Sequence, residues 1–281
     1  MIERNARGHR LIESHSNPVI KRAKSLRDKK HRKEEGLFLA EGLRILTEAR
    51  EAGVLPEQLF YAQDRDSHPL ADALFAATLA AGGEVVATNA ENLSRLSGKD
   101  NPQTVIGLYR DRLVPLASID RNAAPIWLVV QAMRDPGNLG TILRTGDAVG
   151  AGGVILIDDC VDPFSVETVR ASMGALFTQA IVAARWPEFI AWLRAGPGVL
   201  VGTSLAPGTV DYREPDYPAP TFILVGNEAR GLPEDYEAAC DIRVKMPMLG
   251  KADSLNAAVA TAVMGYRVLD KQGRRSAPDQ G

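Results

Sequence analysis

Three segments of this 281-residue chain place polar side chains where a loop meets a helix. In MRDPGNLGTILRTGDAVG, the residues Asp135, Pro136 and Gly137 read as a turn after an apolar strand, and Asn138 is placed to cap the helix that follows. Thr141 and Arg144 lie about one turn apart on that helix, so the Arg144 guanidinium could clamp a phosphate with two parallel hydrogen bonds. In ILVGNEARGLP, Gly226 ends a strand and lets a ligand approach the backbone, and Glu228 is an acid in the next loop. In VKMPMLGKADSLNAAVATAVMGYRVL, Pro247 forbids a continuing central strand. Backbone groups freed over residues 246–250 can read an adenine edge, with Met246 and Leu249 flanking the ring. A helix should begin near Asp253 or Ser254, with Asn256 in its first turn. Its apolar stripe would run through Leu255, Val259, Ala262, Val263 and Tyr266. Each feature alone also has a structural explanation: a cap, a solvated acid, a surface arginine, a core stripe.

Other chemistries are excluded by residue type. The four histidines are His9, His15, His31 and His68, so the later chain offers none for a triad, a zinc site or base catalysis. No metal site is expected. Cys160 and Cys240 match no metal or redox spacing and read as reduced structural thiols. Gly150, Gly152 and Gly153 follow a helix and precede a strand, the reverse of a dinucleotide fingerprint. No run approaches the ~20 apolar residues of a membrane helix, and the basic N-terminus lacks a signal peptide. A cytoplasmic protein is expected. Net charge is only −2, yet Lys21, Arg22, Lys24, Lys29, Lys30 and Arg32 crowd one early segment. A basic stretch on a near-neutral protein suits a polyanionic partner, through counterion release.

Strands and helices alternate along both halves of the chain. A flexible basic arm over 1–12 precedes one basic helix opened by Asn17 and Pro18. Strands at 37–40, 58–62, 84–87 and 105–109, with helices ending near Gly53 and spanning 69–81, make a small α/β domain over 13–110. A linker over 111–125 has proline near both ends. In 126–270, apolar strands at 126–131, 154–157, 180–183, 199–203, 222–225 and 242–245 are separated by helices, which predicts a parallel sheet covered on both faces. Ligands bind such sheets at the strands' carboxyl ends, which selects the loops after Gln131, Thr203, Val225 and Met246. Residues 271–281 form a polar tail.

Taken together and in order, DPGNLGTILRTGDAVG, LVGNEARGLP and MPMLGKADSLNAAVATAVMGY resemble the motifs of the SpoU/TrmH family of RNA ribose 2′-O-methyltransferases, in the SPOUT superfamily. Gly146 followed by Asp147 departs from the Ala–Asp pair common there, a change expected to touch packing more than chemistry. The resemblance implies an α/β fold: a C-terminal parallel-sheet SPOUT domain with a deep trefoil knot, preceded by a smaller α/β substrate-binding domain of ribosomal-protein type. It implies S-adenosyl-L-methionine as cofactor, held near Thr203, Gly226, Met246, Leu249 and Leu255. Arg144, Asn138, Glu228, Ser254 and Asn256 match positions tied to catalysis. It further implies a homodimer and an RNA partner, ribosomal RNA ahead of transfer RNA, with no role for DNA or a membrane. The alternatives are a tRNA 2′-O-methyltransferase and a non-catalytic RNA-binding or ribosome-assembly protein on the same fold.

Overall fold

The computed structural model describes residues 3–63, 68–99 and 104–273, so most of the expected tail lies outside the described residues. The chain runs β1 (Arg10–Leu11), α1 (Pro18–Ser25), α2 (Lys29–Glu35), β2 (Leu37–Glu41), α3 (Leu43–Glu51), β3 (Gln58–Ala62), α4 (Pro69–Ala80), β4 (Glu84–Thr88), α5 (Ala90–Ser97), β5 (Val105–Arg110), β6 (Leu113–Val114), β7 (Ile126–Gln131), α6 (Pro136–Ala148) and β8 (Gly153–Ile157). It continues through α7 (Val166–Ser172), β9 (Ala180–Ala184), α8 (Trp186–Arg194), β10 (Val199–Thr203), β11 (Val210–Asp211), β12 (Thr221–Val225), α9 (Glu234–Ala238), β13 (Ile242–Lys245) and α10 (Ala257–Lys271). These elements form two compact units: residues up to Asp111 with Asp162–Thr178, and Arg112–Val161 with the chain from Gln179 onward.

The first unit is a mixed sheet in the order β1-β4-β3-β5-β2, with β5 antiparallel to both neighbours. Ile20, Ala23 and Leu26 pack with Phe60, Val86 and Ile106 in its core. The helix α7 packs against β2 and belongs to this unit. Arg32 lies beside it, donating to Asp162 at 2.7 and 3.0 Å and to the carbonyls of Leu26 and Arg27 at 2.8 and 2.7 Å.

Several expectations need correction here. The first residues are not a free arm: β1 pairs in parallel with β4, and Ile12 is buried. The basic helix is two helices, because the Asp28 carboxylate accepts from the Lys30 amide at 2.7 Å and opens a second helix. Arg32 is buried within unit one, so it is not a free cation for RNA. The helix α5 adds to the expected elements: Asn89 caps it and Gly98 closes it in the left-handed region. The segment read as linker contributes β6, which pairs in parallel with β9.

The second unit is an all-parallel sheet in the order β11-β13-β10-β12-β7-β8-β9-β6. Strands β7, β8 and β12 are buried along their whole length, as their unbroken apolar sequences require. The helices α6 and α10 pack on each other and on β7. Gly146 leaves room there: a Cβ would stand 2.3 Å from Gln179 Oε1, whose amide donates to the Leu143 carbonyl at 2.6 Å. The departure from the family pattern is therefore a packing feature. Cys160 and Cys240 are unpaired, and burial pushes their thiols up to about 11 and about 12. They stay protonated at neutral pH. No helix among the described residues is long and apolar enough to cross a membrane.

Candidate active site

The sheet order sets β13, β10, β12 and β7 side by side. Because all four are parallel, their carboxyl ends open on one edge, and the loops carrying the three motifs meet there. Two connected hollows result. A cleft of about 380 Å³ is lined by Thr203, Gly226, Met246, Met248, Ser254 and Leu255, among others. A shallower depression beside it is lined by Arg134, Asp135, Asn138 and Asn256. Asn227, Glu228 and Ala229 line both and form the shared wall.

A hydrogen-bonded chain fixes that wall. Asn256 Nδ2 donates to Asn138 Oδ1 at 3.0 Å, and Asn138 Nδ2 donates to Glu228 Oε1 at 3.2 Å. The Asp135 amide also donates to Glu228 Oε1, at 3.4 Å. The other end is anchored because Asn256 Oδ1 accepts from the amides of Ala258 and Val259 at 2.9 and 3.3 Å. Asn256 is thus the N-cap of α10, which starts later than the sequence suggested, while Ser254 lies in the preceding loop and lines the cleft. Asn138 caps nothing. Asp135 caps α6 through a 2.6 Å contact with the Asn138 amide, which frees the Asn138 side chain for the site.

Asn227 is a site residue the sequence reading did not select. Its amide donates to the Ala132 carbonyl at 2.8 Å, and its Oδ1 accepts from the amides of Ala229 and Arg230. It ties the loop after β12 to the loop after β7, where Ala132 sits at a positive φ of 48°. An asparagine turn directly after a buried strand was the available signal.

The remaining candidates divide. Thr203, Gly226, Met246 and Leu255 line the cleft, whereas Leu249 does not and is 99% exposed. Gly226 is needed by its own loop: a Cβ there would lie 2.4 Å from the Gly231 carbonyl carbon and 2.6 Å from the Leu232 amide. Gly226→Ala should therefore displace the cleft wall. Overpacking of this kind costs about 1–3 kcal/mol, so calorimetry should show donor affinity reduced about tenfold and the melting temperature lowered; unchanged affinity would contradict the placement. Arg144 is exposed on α6 and lines neither hollow. Six residues beyond Asn138, it sits about 120° round the helix and roughly 9 Å along it. Of the basic candidates, Lys21, Lys24 and Lys29 are exposed, Arg22 pairs with Glu35 at 2.5 Å, and Lys30 lies 3.9 Å from Glu34. Among the described residues, no cluster of three or more His, Cys, Asp or Glu could hold a metal.

The cleft fits S-adenosylmethionine by its walls. Met246, Met248, Leu255 and Leu232 give an apolar surface for a ring, and Glu228 and Glu237 give acceptors. The volume lies within the roughly 300–1,000 Å³ usual for small-molecule sites.

Comparison with known proteins agrees with this geometry. The model of the SpoU rRNA Methylase family matches residues 125–266, and that of the MRM3-like substrate binding domain matches residues 17–107. The chain is 30% identical to the 23S rRNA (guanosine(2553)-2′-O)-methyltransferase RlmP of Bacillus subtilis, over 92% of this chain and 98% of that protein. It is 32% identical to the 23S rRNA (uridine(2479)-2′-O)-methyltransferase of Streptomyces viridochromogenes, over 90% of this chain and 89% of that one. The crystal structure of an AdoMet-bound rRNA methyltransferase from Sinorhizobium meliloti superposes with a TM-score of 0.86 at 40% identity, covering 92% of this chain and 97% of that one. With the motif loops assembled on one sheet edge, and with similarity running through both units, the chain belongs to the SpoU rRNA methylase family.

Proposed function

We propose that this chain methylates a ribose 2′-hydroxyl of ribosomal RNA with S-adenosylmethionine as donor. The observation that carries the reading is the chain from Asn256 through Asn138 to Glu228, set in the wall between an apolar cleft and a polar depression. Relatives that match both units along nearly their full length are named for 23S rRNA, which supports ribosomal over transfer RNA. S-adenosylmethionine, when bound, supplies a methyl group already activated on a sulfonium. The protein's task is then to position the hydroxyl and to handle its proton. Thr203, Gly226, Met246, Ser254 and Leu255 hold the donor side. On the acceptor side Asn138 and Asn256 aim the Glu228 carboxylate, whose lone pairs face a hydroxyl placed in the depression. Arg134 stands at the rim for a neighbouring phosphate.

The working unit in this proposal is a homodimer. Val259 and Tyr266, about two turns apart on α10, are 48% and 55% exposed, so the helix keeps an apolar face uncovered although its opposite face is buried. Arg144, remote from its own chain's site, would serve the partner's. The deep trefoil knot and a cytoplasmic location, where ribosomal RNA is made and assembled, belong to the same proposal. Lys21, Lys24 and Lys29 supply the RNA-facing charge of the first unit.

The test is direct. Calorimetry should show S-adenosylmethionine binding, and incubation with ribosomal RNA followed by nuclease digestion should yield a 2′-O-methyl nucleotide. Absence of donor binding would favour a non-catalytic RNA-binding protein, and methylation of transfer RNA alone would overturn the assigned substrate.

A further inference from the structure

The donor cleft contains a second carboxylate, which takes no part in the hydrogen-bonded chain from Asn256 to Glu228. Glu237, half-buried on α9, lines the cleft, and the Ser204 hydroxyl donates to its Oε1 at 2.5 Å. Ser204 is itself locked. It is 8% exposed, its amide donates to the Val244 carbonyl at 3.0 Å, and its Oγ accepts from the Ala206 amide at 2.9 Å. The Glu237 side chain is therefore held at one oxygen, while Oε2 has no hydrogen-bond partner among the described residues. A carboxylate kept in place beside apolar walls, with one oxygen unused, is a specificity element waiting for a donor group.

Position along the sheet identifies that group's place in the ligand. Glu228 belongs to the loop after β12, adjacent to β7, and is committed to Asn138 and Asp135. Glu237 is anchored through Ser204 to the end of β10, one strand further from β7 and next to β13. It thus lines the cleft from the β10 side, next to the strand that leads into Met246 and Met248, the apolar stretch suited to a purine ring, whereas the wall where a hydroxyl would accept the methyl group follows β12 and β7. We infer that Glu237 recognises the nucleoside half of S-adenosylmethionine, accepting through Oε2 from its hydroxyl or amino groups, with Ser204 as the residue that positions it. This inference rests on the donor reading above and deepens it.

Binding can be measured without turnover, using S-adenosylmethionine and 5′-methylthioadenosine, which keeps the nucleoside and lacks the amino-acid arm. Glu237→Ala is expected to weaken both ligands about tenfold, equal to about 1.4 kcal/mol. Glu237→Gln, which keeps an acceptor oxygen and the shape, should weaken both by about threefold, since a neutral acceptor is weaker than a charged one. Ser204→Ala should fall between wild type and Glu237→Ala, with Ser204→Thr restoring affinity. Weakening confined to S-adenosylmethionine would place the contact on the amino-acid arm and overturn the assignment. Unchanged affinity for both ligands in well-folded Glu237→Gln and Glu237→Ala would overturn the site. Failure of the wild-type protein to bind either ligand would instead overturn the donor reading itself, and this inference with it.

Discussion

Replacing Arg144 by alanine is expected to lower single-turnover methylation at least ~100-fold while leaving S-adenosylmethionine affinity within about twofold of wild type. The first half follows from charge. A guanidinium is always protonated and cannot take the hydroxyl's proton, so the contribution we propose for it is to grip a phosphate beside the target ribose and to favour the developing alkoxide. The second half follows from place, because Arg144 lines neither the donor cleft nor the depression of its own chain. Arg144→Lys keeps the charge but loses the two-pronged grip and should recover little.

The same separation makes the dimer testable. Arg144→Ala carries an intact donor cleft, and Gly226→Ala carries an intact arginine. If Arg144 serves the partner's site, mixing these two weak variants builds hybrid dimers with one complete site, and activity rises above either parent. If Arg144 acted within its own chain, no hybrid would hold a complete site and mixing would restore nothing. Full activity in Arg144→Ala alone would remove it from the reaction altogether.

The motif loops were legible because their positions follow from local rules. Unbroken apolar strands such as β7 and β12 signal a covered parallel sheet, and such sheets gather ligand loops at their carboxyl ends. What remained hidden was non-local. Nothing in periodicity sets β12 between β10 and β7, yet that order brings Glu228 to Asn138 across 90 positions of sequence. Ser254 and Asn256 are both good capping residues, and only the backbone, with Asn256 in the non-helical conformation of a cap at φ −53° and ψ 140°, decides between them. Asp135 displaced Asn138 as cap for the same reason: of two capping types, the one preceding Pro136 took the extended conformation that a residue before proline prefers. The Ser204–Glu237 pair spans 33 positions and carried no sequence signal at all.

Arg32 shows most sharply how composition misleads, and it sets the last expectation. Composition groups it with its neighbours as one more phosphate ligand; in the fold its side chain is 7% exposed and its Asp162 partner 13%. Its guanidinium satisfies one carboxylate and the carbonyls of Leu26 and Arg27, two of the three residues between α1 and α2. Arg32→Ala leaves a largely shielded carboxylate and two carbonyls short of a donor, a loss approaching the ~3–5 kcal/mol of a fully buried pair broken on one side. Urea denaturation should show this as a lower midpoint. Lys29→Ala makes the contrasting case. Lys29 is exposed, so its removal should leave the midpoint nearly unchanged while lowering the slope of RNA affinity against salt by about 0.7–0.9 per lost phosphate contact. The reverse pattern, with a stable Arg32→Ala protein whose salt slope falls and a Lys29→Ala protein whose slope does not, would return Arg32 to the RNA-facing surface.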